Sequence, residues 1–91
     1  MDSRIHIRVS GIVQGVFFRA NTFDRATALG VSGYVLNLPD GSLEIVAEGD
    51  KEKLVKLLNW ASHGPPEATV SKIEHSWHDS KKEFKKFEIR Y

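Results

Sequence analysis

The chain contains no cysteine, so disulfides, thiolate metal sites and a cysteine nucleophile are all excluded. It has little charge of either sign to spare: thirteen Lys and Arg against twelve Asp and Glu leave a formal charge of +1. So small a balance gives no general basis for nucleic-acid binding, and any attraction for an anion must be local. No run approaches the ~18 apolar residues of a membrane span. The N-terminal stretch Met1 to His6 lacks the basic region and apolar run of a signal peptide. These absences predict a cytoplasmic protein without a membrane segment. What is present suits one core: 91 residues, 41% hydrophobic and 10% aromatic, below the ~100–150 residues at which compact domains are commonest. Residues 1–91 are therefore read as a single domain.

Ile5, Ile7 and Val9 alternate with Arg4, His6 and Arg8, the period of a half-buried strand. Ser10 to Arg19, with two glycines, reads as a loop. Phe18, Thr22, Ala26 and Leu29 then fall on one helical face, and Gly30 stands where a left-handed C-cap belongs. Val31 to Asn37 and Leu43 to Glu48 read as strands, and Leu38-Pro39-Asp40-Gly41 between them is a turn. Asp50 caps a second helix bearing Leu54, Leu57, Leu58 and Ala61, which Gly64-Pro65-Pro66 ends. Val70 to Trp77 is a fourth strand, and a shift of apolar phase between Val70 and Ile73 suggests a bulge. Phe87, Ile89 and Tyr91 suggest a further short strand.

The order β-α-β-β-α-β predicts an α+β, ferredoxin-like split βαβ sandwich, an antiparallel sheet with both helices on one face. That architecture hosts many activities, so function rests on the site.

The chemically informative segment is Gly11-Ile12-Val13-Gln14-Gly15-Val16-Phe17-Phe18-Arg19. A glycine-containing turn at a helix N-terminus presents free amides that suit a phosphate. Arg19 in the first turn opposes the helix dipole unless a bound dianion reverses the sign. The residues alone leave two readings open, a phosphate cradle and a surface arginine beside an ordinary turn. No Ser, Thr, Cys, Asp, Glu or His lies between Gly11 and Arg19, so the loop offers no covalent nucleophile and water must attack directly. Asn37, at the end of the second strand, can donate and accept, and could orient that water or merely satisfy turn backbone.

Gly11 to Arg19 resembles the acylphosphatase signature G-R-V-Q-G-V-x-F-R, and Gly33-Tyr34-Val35-Leu36-Asn37 with Asp40-Gly41 resembles the second motif, G-[WY]-V-x-N-x-x-D-G. The resemblance runs from about Ile5 to Tyr91. It implies hydrolysis of the carboxyl–phosphate bond of acyl phosphates, without metal or cofactor. Arg19 would bind phosphate with the amides of Gln14, Gly15, Val16, Phe17 and Phe18, and Asn37 would position the water. Ile12 departs from the family's arginine and Leu38 from a threonine that some members carry. The implied partner is a small acyl phosphate, bound by a monomer with no nucleic acid. Two alternatives share the fold: a non-catalytic ligand-binding domain of this family, and an RRM-type RNA-binding module. The second is disfavoured because Leu43 to Glu48 has no aromatic and two outward-facing acids, Glu44 and Glu48.

His75 and His78, three apart on a strand, fall on opposite faces and make no metal pair. Trp60 and Trp77 read as packing residues. Lys81, Lys82, Lys85 and Lys86 read as a solvated hairpin connection.

Overall fold

A computed structural model describes residues 2–91. The first strand, β1 (Asp2–Ile12), extends beyond its alternating apolar positions because Gly11 and Ile12 continue to pair with Val70 and Thr69. Helix α1 (Phe18–Leu29) and strand β2 (Ser32–Asn37) follow. Next come β3 (Leu43–Asp50), α2 (Lys51–Ala61), β4 (Thr69–Asp79) and β5 (Phe87–Arg90). The sheet order is β4-β1-β3-β2-β5. Its four longer strands are antiparallel, as the split βαβ reading requires, while β5 adds a parallel pairing to β2 and makes the sheet mixed.

The helix ends follow local chemistry. Gly30 caps α1 at φ 73°, and its N–H reaches the Thr27 carbonyl at 3.1 Å. The Asp50 carboxylate accepts the Glu52 amide at 3.4 Å at the start of α2. The bulge falls in β4: Ser10 pairs with Lys72 and Gly11 with Val70, so Ser71 is the extra residue. Gly11 tolerates this close approach because a Cβ there would meet the Thr69 carbonyl oxygen.

α1 packs on β2 and β5, α2 packs on β1 and β3, and the helices touch one another. Ile5, Ile7 and Val9 of β1 meet Leu54, Leu57 and Ala61 in a core from which solvent is excluded. Full burial of each larger aliphatic chain contributes about 1.5–3 kcal/mol, the source of stability left to a domain without disulfides. Trp60 packs edge-on to Phe18 with ring centroids 5.3 Å apart, and Trp77 lies partly buried against the core.

The other sheet face departs from expectation. Because β4 and β5 occupy opposite edges, the lysine-bearing segment 80–86 is not a hairpin connection. It crosses the open face, where the amides of Lys81 and Glu83 donate to the Glu48 carboxylate at 2.7 and 3.2 Å. Glu48, expected to face outward into solvent, is therefore buried at 4% exposure.

Candidate active site

Between β1 and α1 the backbone takes two left-handed residues, Gly15 at φ 72° and Phe17 at φ 64°. Such alternation turns successive amides toward one concave side and makes an anion nest. For Phe17, which carries a Cβ, the conformation costs roughly 1–2 kcal/mol. Phe17 is also the N-cap of α1, and its side chain caps nothing. Among the described residues, no protein acceptor engages the backbone amides from Gly15 to Ala20; the first amide satisfied is that of Asn21, by the Phe17 carbonyl at 3.0 Å. A row of free donors at a helix N-terminus is what a phosphate or carboxylate would fill.

Arg19 lies in the first turn of α1 and is half-buried. It enters none of the ion pairs formed among the described residues. Its guanidinium instead stacks on the Tyr91 ring, Cζ 4.7 Å from the centroid. That contact orients the fork without neutralising it, so the charge stays available to an anion.

Asn37 ends β2 opposite Leu43. Its Oδ1 is buried and has no partner among the described residues. An amide oxygen left so costs about 1–3 kcal/mol until a donor reaches it, and a water can be that donor. Arg19, Asn37, Gly15, Phe17 and Phe18 line one depression of about 260 Å³. Val13, Ala20, Ile89 and Tyr91 complete its wall.

Five of the seven site residues named from the sequence thus meet here, and two do not line the depression. The Val16 side chain packs on the core. Gln14 turns its carboxamide away from the depression and donates to the carbonyls of Leu38 and Ser42, at 2.8 and 2.9 Å. Phe18 contributes backbone only, since its ring is 1% exposed in the core. Of the two departures from the motif, Ile12 is 61% exposed, while Leu38 donates its amide to Ser42 at 2.8 Å. Tyr91 and Ile89 were not anticipated at the site. Their alternation with Phe87 was visible, but placing them beside Arg19 needs β5 to lie next to β2, with Ile89 opposite Val35.

The hairpin carrying Asn37 is braced at its turn. Asp40 accepts the Ser42 hydroxyl at 2.5 Å and the Ser42 amide at 3.0 Å, and pairs with Arg8. Those bonds, the hydroxyl first, hold the Asp40 carboxyl below its ordinary range.

Fold and site together define a ferredoxin-like α+β fold in which, among the described residues, open amides at a helix N-terminus, an arginine outside any ion pair and an asparagine oxygen without a partner share one depression. The acylphosphatase family model matches residues 5–89. An acylphosphatase from Pelotomaculum thermopropionicum is 48% identical over 89 residues, covering 98% of this chain and 97% of its own. The structure of an acylphosphatase from Bacillus subtilis superposes with a TM-score of 0.93 at 32% identity, covering 98% of this chain and 99% of its own. One from Coxiella burnetii gives 0.90 at 37% identity, over 98% and 93%. The chain belongs to the acylphosphatase family and is an enzyme of that family.

Proposed function

We propose that this site cleaves the carboxyl–phosphate bond of acyl phosphates by direct attack of water. The observation that carries the reading is that Gly15, Phe17, Phe18, Arg19 and Asn37 line one depression, where the loop amides and, just behind the surface, the Asn37 Oδ1 lack a protein partner among the described residues. The amides and Arg19 take the phosphate oxygens and stabilise charge that grows on them. Asn37 Oδ1 accepts a hydrogen from the attacking water and aims its lone pair at phosphorus. The new bond joins water oxygen to phosphorus, and the bond from phosphorus to the acyl oxygen breaks. The carboxylate leaves with that electron pair, and the water proton passes to a phosphate oxygen. A carboxylate leaves easily, so this reading asks for no general base, metal or cofactor.

No phosphoenzyme forms within the loop on this reading, because no residue between Gly11 and Arg19 bears a nucleophile. We further propose a cytoplasmic monomer that acts on a small molecule and not on nucleic acid. Among the described residues no helix is long and apolar enough to cross a membrane.

The test is hydrolysis of an acyl phosphate by purified protein in EDTA, beside Arg19→Ala and Asn37→Ala. Each variant is expected to lose about 10²–10³-fold in kcat/KM, the scale of one missing charge-stabilising contact. Variants as active as the wild-type protein would remove both assignments.

A further inference from the structure

Among the described residues four large hydrophobic side chains are exposed: Ile12, Phe17, Val55 and Tyr91. Two of the four, Phe17 at 69% and Tyr91 at 93%, line the depression that holds Arg19 and Asn37. Phe17 projects its ring from a strained left-handed position at which glycine would be unstrained. Tyr91 keeps its ring 4.7 Å from the Arg19 guanidinium carbon. A phosphate held by Arg19 therefore has an aromatic face within reach of whatever group it carries. Among the described residues Arg19 has the one charged side chain lining the depression. With that cation occupied by phosphate, the rest of the lining offers an acyl group carbon surface from Ile89, Val13 and the two rings. A second carboxylate, phosphate or ammonium on the acyl chain would lose water there and find no partner.

We propose, building on the hydrolytic reading above, that this enzyme selects acyl phosphates whose acyl group is uncharged and apolar, above all aromatic. Phe17 and Tyr91 are the residues that set the preference. The rings act on the acyl group, separately from the cradle that grips the phosphate. Stacking and burial of a phenyl group against these rings strengthen binding of the aromatic substrate over a small or charged one.

The test compares benzoyl, acetyl and succinyl phosphate in the wild-type protein and in ring variants; for each substrate the leaving group is the same in every protein, so the change between proteins separates recognition from reactivity. The wild-type protein is expected to favour benzoyl phosphate over the other two by about tenfold or more in kcat/KM. Phe17→Ala and Tyr91→Ala each reduce that ratio toward one, whereas Phe17→Tyr retains it. Alanine meets the same backbone strain as phenylalanine at position 17, so loss of the ring is the operative change. A second arm measures binding of benzylphosphonate and methylphosphonate by calorimetry, without turnover. The wild-type protein should hold benzylphosphonate about tenfold more tightly, and Phe17→Ala should lose that difference. Equal kcat/KM for the three substrates, or a benzoyl preference unchanged in both alanine variants, overturns the inference and leaves the hydrolytic reading intact. Ring-dependent phosphonate binding with no acyl phosphate hydrolysed overturns the hydrolytic reading and leaves the apolar subsite standing.

Discussion

The side-chain amide of Gln14 donates to the Ser42 carbonyl at 2.9 Å, and the same nitrogen reaches the Leu38 carbonyl at 2.8 Å. One residue of the phosphate loop thereby ties that loop to both ends of the β2–β3 turn, just beyond Asn37. This tie and the sheet fix how the loop stands relative to Asn37, the two parts that the proposed reading makes phosphate cradle and water guide.

Gln14→Leu should remove the tie while keeping the bulk of the side chain. Each carbonyl retains another donor, Gly41 on Leu38 and Leu38 on Ser42, so the stability loss should be about 1–2 kcal/mol. The larger effect should be on kcat, about tenfold or more, because a displaced Asn37 misaims the water. Inhibition by inorganic phosphate, which reads the cradle alone, should change little. Combined with Asn37→Ala, the Gln14 change should cost no further kcat; full additivity in the double variant would show that Gln14 does not act through Asn37.

Glu48→Ala should loosen the segment that crosses the open sheet face. The carboxylate accepts the Lys81 and Glu83 amides and Arg4 Nη1, the last at 3.3 Å. Removing the acceptor strands two amides and leaves Arg4 with Glu83, at a cost of about 2–3 kcal/mol. Hydrogen exchange should speed up first at the Lys81 and Glu83 amides. Unaltered protection there would mean that the segment is held by Phe84 packed edge-on against Tyr34.

The acid limb of the stability curve should carry a contribution from Asp40. Its carboxyl titrates below its ordinary value because the Ser42 hydroxyl and amide bond the charged form. The stabilisation is therefore complete above about pH 4 and is lost as pH falls through the depressed folded-state value. In urea melts from pH 2 to 7, Asp40→Asn should show a shallower acid limb than the wild-type protein. Parallel limbs would mean that the turn gains nothing from the charged carboxyl.

Gly33→Ala should be among the costliest single-methyl additions in the chain. Gly33 sits at φ 142° in β2, and an added Cβ would run into the Val46 carbonyl oxygen of the neighbouring strand. Backbone cannot yield as a flexible side chain can, so a loss of about 2–3 kcal/mol is expected in chemical denaturation. Gly41→Ala makes a useful contrast, since a Cβ there meets nothing within 4 Å and adds only the strain of φ 92°.

Much of this molecule was legible from residue order because its signals are local. The period of two at Ile5, Ile7 and Val9 and the four-residue spacing of Phe18, Thr22 and Ala26 each declare an element and its buried face. Gly30, Asp50 and the Pro39-Asp40-Gly41 turn mark ends through their own backbone chemistry. Even the bulge at Ser71 showed as a break in apolar phase. Arg19 and Asn37 could be named through the resemblance of their segments to the two acylphosphatase motifs; the residues alone left a surface arginine and a turn asparagine open.

The place of the fifth strand was not legible, and the errors trace to it. A short final strand reads the same whether it returns beside β4 or crosses to the far edge, since period two says nothing of its neighbour. Its docking against β2 sent residues 80–86 over the open face, buried Glu48 and set Tyr91 on Arg19. The sequence by itself determined the elements and their inward faces, because those follow from spacing and backbone preference within a few positions, while the two motif residues rested on the family resemblance. Only the tertiary structure decided which donors stay empty, where Gln14 points and which rings border the cradle, because such contacts join residues that the chain keeps far apart.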